Sequence, residues 1–381
     1  MTQPPSVPTP PGGPPKVIRK IIRRQYAEKY LLLTLFSFAI SISCTRLFLE
    51  LTGYPQIGNG ELHIAHVLWG GLILFAAALL PIIFTNQWIY TWTAILSGVG
   101  VGLFIDEVGK FITQSNDYFY PAAAPIVYVF FLITVLVYVM VRRKNENNTR
   151  ADLYYILQDL EEVIDHDLSP GEKERIHQRL RRVAANSPHT DIHWLAQSLA
   201  EFISRADLYL APESPTVWQR VINWLSDVEA RYLSERRYRA ILAGSLIAVG
   251  MWALAYPISV LSTARDANNL ALLLNHLVVE RLVRGSIGVS LFQVRVGMEG
   301  SIGLILLLSA VLLAYGDRSR ALLIGYAGLL FSLTVVQPLL FYFDQFSSII
   351  NASVQFLIFL GAIHYRQHYL IPPDEHSPYG I

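Results

Sequence analysis

Residues 61–117 read ELHIAHVLWGGLILFAAALLPIIFTNQWIYTWTAILSGVGVGLFIDEVGKFITQSND, two long apolar runs joined at a short TNQW turn. Each run is long enough to cross roughly 30 Å of hydrocarbon as a helix. The turn leaves room only for an antiparallel pair. His63 and His66 open the first run, and Asp106, Glu107 and Lys110 close the second. Antiparallel pairing therefore brings these groups to one depth. Ionisable side chains at such depth are expensive to bury, so they face a protein interior or water and mark function. The hairpin sets the fold class: an all-α, polytopic transmembrane helical bundle.

Composition agrees. Of 381 residues, 53% are hydrophobic and 15% charged, against roughly 25% charged in soluble domains; mean hydropathy is +0.38. A net charge of +1 carries no basic footprint for nucleic acid. Cys44, the single cysteine, rules out an intrachain disulfide and a cysteine-rich metal site. Residues 2–15, TQPPSVPTPPGGPP, lack the apolar core of a signal peptide and read as a disordered tail.

Working outward, Lys16, Arg19, Lys20, Arg23, Arg24 and Lys29 precede a first span at about 30–51. Spans at about 61–84, 89–113 and 121–141 follow, and the last stops at Arg142, Arg143 and Lys144. Basic flanks at both ends and loops almost free of Lys and Arg put the N-terminus and residue 142 on the cytoplasmic side. The segments are a tail and flank over 1–28, a first membrane block over 29–141, and a cytoplasmic helical insert over 142–236. A second membrane block over 237–364 and a cytoplasmic tail over 365–381 complete the chain.

Within the insert, SPGEKERIHQRLRRVAAN (169–186) carries a capping box with Ser169 as N-cap and Pro170 at the first helical position. SPTVWQRVINWLSDVEARYLSERRYR (214–239) forms a further amphipathic helix with no break before the fifth span at about 240–261. TARDANNLALLLNHLVVERLVRG (263–285) is too polar for a span and reads as an interfacial helix. Spans at about 285–315, 321–343 and 346–363 bring the expected total to about eight, with the C-terminus cytoplasmic and the cell membrane as location.

The candidate pocket comprises Arg46, Glu50, Glu61, His63, His66, Asp106, Glu107, Lys110 and Asp117 at the outer end of the first block. Arg46 and Glu50 stand one helical turn apart and are expected to pair. Gly98, Gly102, Asp106 and Lys110 recur every four residues, so a continuous helix places them on one face. Three functions suit this cluster. The first is binding or sensing of a lipid headgroup or small ligand, relayed through 142–236 to a cytoplasmic protein partner. The second is metal-dependent hydrolysis of a lipid, with His63, His66 and Asp106 holding zinc or another divalent cation. The third is an ion- or proton-coupled transporter using His and Asp as a relay. A buried ionic network that only fixes helix register accounts for the same residue types.

Other motifs say less. Tyr118 and Tyr120, in NDYFYPAAAP (116–125), read as interface aromatics. Arg295 and Glu299 read as an ion pair inside the sixth span, while Asp344, Gln345, Asn351 and Gln355 read as a polar loop and helix contact. His364 and His368 sit at the end of the last span. DHDLSPGE (165–172) misplaces the glycine of a calcium loop and has Ile176 at the twelfth position. No phosphate-binding or nucleophile-elbow motif is present.

Overall fold

The computed structural model describes residues 21–53, 66–118, 120–142, 149–187, 190–205, 208–212, 233–266, 285–345 and 348–370, together with 220, 231, 268, 269, 271, 272 and 275. The described residues contain helices and no strand. Eight of the helices are long and apolar enough to cross a membrane. The first block holds α1 (Ala27–Thr52), α2 (His66–Ile83), α3 (Gln87–Ile105), the single turn α4 (Val108–Ile112) and α5 (Ala123–Arg142). The insert holds α6 (Thr149–Ile164), α7 (Pro170–Asn186) and α8 (Thr190–Ser204). The second block holds α9 (Glu235–Thr263), α10 (Gly285–Tyr315) and α11 (Arg318–Phe331). A π-helical turn, Ser332–Val336, then leads into α12 (Gln337–Asp344), and α13 (Ser348–Tyr369) follows.

The chain forms two compact units. One comprises the described parts of Met1–Ala27 and Lys144–Glu213, the other those of Glu28–Arg143 and Ser214–Ile381.

In lipid, burying apolar area drives helix association weakly, and close backbone packing takes over. The spans show this at their glycines. A Cβ on Gly70 of α2 would stand 2.6 Å from the Phe104 amide nitrogen of α3, and one on Gly100 of α3 2.9 Å from that of Leu74. The other side of α3 meets α1, where a Cβ on Gly102 would stand 2.7 Å from the Ser41 Cβ and one on Gly98 would overlap the Thr34 carbonyl. Ser41 Oγ donates to the Val99 carbonyl at 3.1 Å. Large side chains such as Leu68, Trp69, Leu72 and Phe75 turn outward instead. Trp88 and Trp92, beside the α2–α3 turn, are exposed as an aromatic belt would be. Gly250 and Gly303 let α9 and α10 touch in the same way.

Two spans depart from the sequence expectation. The third does not run unbroken to residue 113: α3 ends at Ile105, and Lys110 N–H donates to the Glu107 carbonyl rather than to that of Asp106. The Asp106 carbonyl accepts from Arg46 Nη2 at 3.1 Å, which takes the acceptor the next helical turn would use. Lys110 therefore leaves the row of Gly98, Gly102 and Asp106. The seventh span contains the π turn. Pro338 has no N–H to donate, and the Leu333 carbonyl five residues back accepts from the Tyr128 hydroxyl at 2.8 Å. Tyr128 also stacks on Phe341 at 4.6 Å between ring centroids, which joins the two membrane blocks.

The insert packs Ile156, Leu168, Ile176, Leu180, Val183, Ala196 and Ile203 into one core. The Ser169–Glu172 capping box forms, with Pro170 as the first residue of α7. Most of 214–239 lies outside the described residues. Its expected run into the fifth span is interrupted, because Ser234 is extended and α9 starts at Glu235. Most of the expected interfacial helix at 263–285 also lies outside the described residues.

Burial pushes the Glu162 carboxyl up to about 8, with Glu172 and Asp159 as negative neighbours adding to the effect. A carboxyl that holds its proton more tightly when folded destabilises the fold as it ionises. Stability is therefore fullest near the ordinary value of 4.5, falls as pH rises through about 8, and is level above that. Glu162→Gln is expected to slow hydrogen exchange in α6 and α7 at pH 9 and to change it little at pH 5; slower exchange at pH 5 alone would contradict this. For the membrane block, Gly98→Ala is expected to lose about 1–3 kcal/mol in unfolding from detergent, the cost of overpacking. Gly71→Ala, where a Cβ meets nothing within 4 Å, should be neutral or better.

Candidate functional site

The site forms where α1, α2 and the end of α3 meet, and Asp106 is its centre. Asp106 is fully buried, and each of its acceptors is used. Arg46 Nε of α1 donates to Oδ1. Oδ2 lies 3.0 Å from His66 Nε2 of α2 and accepts from the Tyr118 hydroxyl at 2.8 Å. With Arg46 Nη2 on its carbonyl, Asp106 holds α1, α2, α3 and the loop after α4 together.

Glu107 supplies a second, buried carboxylate. Its Oε1 accepts from Lys110 Nζ at 2.9 Å and lies 3.1 Å from His66 Nδ1. Its Oε2 is buried without a partner. His66 thus turns both ring nitrogens to carboxylate oxygens. A neutral imidazole has one N–H and would set a lone pair against one of them, whereas the imidazolium donates to both.

Tyr118 packs beneath the cations. The Arg46 guanidinium carbon lies 4.2 Å from its ring centroid and Lys110 Nζ 5.3 Å, distances at which a cation is attracted by the ring. The loop reaches this place by tight turns. Asn116 takes a positive φ of 50°, and Asp117 N–H donates to Thr113 Oγ1 at 2.7 Å. Gly109 admits the returning chain, since a Cβ there would stand 2.8 Å from the Asp117 carbonyl. The site is closed around its carboxylates and partly open at its cations: Glu107 is 2% exposed by side chain, His66 22% and Lys110 24%.

The structure brings together Arg46, His66, Asp106, Glu107 and Lys110. It corrects the expected pairing of Arg46 with Glu50: Arg46 is buried on Asp106, and Glu50 is exposed. Asp117 shapes the loop through its backbone. Glu61 and His63 lie outside the described residues. Of the expected metal set His63, His66 and Asp106, His66 has both nitrogens occupied by carboxylates. Among the described residues no group of three His, Cys, Asp or Glu is arranged to hold a metal ion. Tyr118, read from sequence as an interface aromatic, instead bonds the central carboxylate. A Tyr in the turn that immediately follows the acids was its one available signal.

Compared with protein-family models, curated proteins and solved structures, the chain matches none. The geometry therefore carries the functional assignment alone.

Removing one partner of a buried ion pair leaves a charge with no counterion. Arg46→Met is expected to cost about 3–5 kcal/mol in unfolding, against about 1 kcal/mol for Tyr118→Phe, which removes one hydrogen bond. The double change Arg46→Met/Asp106→Leu should recover part of the loss, because it removes the orphaned carboxylate but leaves His66 and Tyr118 without their acceptor. Equal costs for the two single variants would show that the pair is not the anchor.

Proposed function

We propose that this is a multi-pass cell-membrane protein that binds or senses an acidic group carried by a lipid headgroup or small ligand, at a site in the outer leaflet. One observation carries this: Arg46, His66 and Lys110 converge on two closed carboxylates, and Lys110 stands at the partly open rim. An incoming phosphate or carboxylate would take charge-assisted hydrogen bonds from the Lys110 ammonium. The buried Glu107 Oε2 suits a hydroxyl or amine on the same ligand. Basic flanks support a cytoplasmic position for both termini, and the helical insert is the segment through which occupancy would reach a cytoplasmic protein. Both nitrogens of His66 are committed to carboxylates, which favours binding over metal-dependent hydrolysis.

The test is native mass spectrometry of detergent-purified protein with phosphatidylglycerol and with phosphatidylcholine. Wild type should retain phosphatidylglycerol preferentially. Lys110→Ala, folded by its own melting curve, should weaken that retention roughly 10-fold, the loss expected for one charge-assisted hydrogen bond. Equal retention of the two lipids by wild type, or retention that Lys110→Ala leaves unchanged, would sink the proposal.

A further inference from the structure

The second block contains a separate polar layer that the site at Asp106 does not explain. Arg295 and Glu299 of α10 are both buried. They form the expected ion pair, and Arg295 also donates Nη1 and Nη2 to the two carboxylate oxygens of Asp344. Tyr256 and Phe343 flank its guanidinium, with ring centroids 4.7 and 5.2 Å away. Glu299 Oε2 stays 3.7 Å from Arg295 Nε, beyond hydrogen-bond reach, and both atoms are buried without a partner. Among the described residues, one guanidinium against two carboxylates leaves this group one negative charge in excess when all are ionised.

Glu299 stands one helical turn from Arg295, whose partner Asp344 ends the seventh span. An unbalanced charge enclosed among helices is strongly unfavourable.

Neutral oxygens lie at the same level. The π turn packs on both α10 and α13. Gly325 meets Ser309 and Gly328 meets Ile305, while Arg295 meets Asp344. This antiparallel register sets Glu299 level with Gln337. On the other side Tyr326 bonds the Ala362 carbonyl and Phe341 packs with Ala352, so Gln337 is also level with Asn351 and Gln355. Gln337 is 0% exposed, and neither its amide oxygen nor its nitrogen has a partner; Gln355 Oε1 and Ser348 Oγ are likewise buried and unpartnered. Buried polar atoms are nearly always hydrogen-bonded or ligating. A π turn inside a span is also where helices commonly carry function.

We propose that this layer binds one small monovalent cation of the sodium class, ligated by the Glu299 carboxylate with the amide oxygens of Gln337 and Gln355. One positive charge cancels the excess, and hard carboxylate and amide oxygens are the donors such an ion takes. A helix interrupted within a span is a recurrent setting for such ions.

The experiment is thermal unfolding of the purified full chain in detergent, titrated with sodium chloride against choline chloride at constant ionic strength and pH. Wild type should show a saturable rise in Tm with sodium and none with choline, because a ligand of the native state stabilises by mass action. Glu299→Gln and Gln337→Leu should each lose the sodium response. In choline, Gln337→Leu should unfold no lower than wild type, since it removes an unpartnered amide, and this separates lost binding from lost fold. Identical wild-type curves in the two salts would overturn the proposal, as would a full sodium response in Gln337→Leu. A Tm that follows pH without preference between the salts would overturn it too, by assigning the charge to a proton.

Discussion

A carboxylate that cannot reach water must find its donors in the protein, and Asp106 finds them on three other segments. Arg46, His66 and Tyr118 come from α1, α2 and the loop after α4, and all converge on one side chain. The same demand ends α3, because the Arg46 bond to the Asp106 carbonyl removes the acceptor of the next helical turn. A single buried charge therefore sets the helix register, the break in the third span and the path of the following loop. It also produces the asymmetry on which the proposed binding rests. The acids are sealed by their partners, and Lys110, with its long side chain, remains at the rim.

Around that anchor the membrane blocks are held by contact of backbones more than by apolar burial. Glycines sit where α2 meets α3, where α3 meets α1 and where α9 meets α10. On α2, Leu68, Trp69, Leu72 and Phe75 point outward, as suits a solvent as apolar as they are. The two blocks meet at an irregularity. Pro338 and the π turn leave the Leu333 carbonyl to Tyr128, so a defect in one helix becomes the hydrogen bond that joins it to another block. The insert follows soluble rules instead, with a capped helix and a closed aliphatic core.

The first block anchors its acid with bonds from several segments, whereas the second leaves Glu299 without a hydrogen bond to the neighbouring Arg295. In the first, every acceptor of Asp106 is answered by a side chain, which makes it an anchor. In the second, carboxylate, amide and hydroxyl atoms are enclosed and unanswered, which makes that layer a place for a ligand. Charge inside a membrane thus has two uses in one chain.

Hydropathy and the placement of basic residues were enough for the all-α membrane architecture, because a span needs only about twenty apolar residues and carries its own hydrogen bonds. The Ser169 capping box was legible for the same reason: its partners are three residues apart. His66, Asp106, Glu107 and Lys110 stood out as charges in apolar runs, although His63 and Glu61 lie outside the described residues. Only the tertiary structure decided which of these groups pair. Arg46 has Glu50 one turn away and Asp106 sixty residues away, and Arg295 has Glu299 one turn away and Asp344 forty-nine away. Arg46 takes Asp106 instead of Glu50, while Arg295 hydrogen-bonds Asp344 and keeps Glu299 as an ion pair at 3.7 Å. Sequence proximity fixes which residues share a helix face, but helix packing decides which acid is enclosed beside the guanidinium, and enclosure strengthens an ion pair.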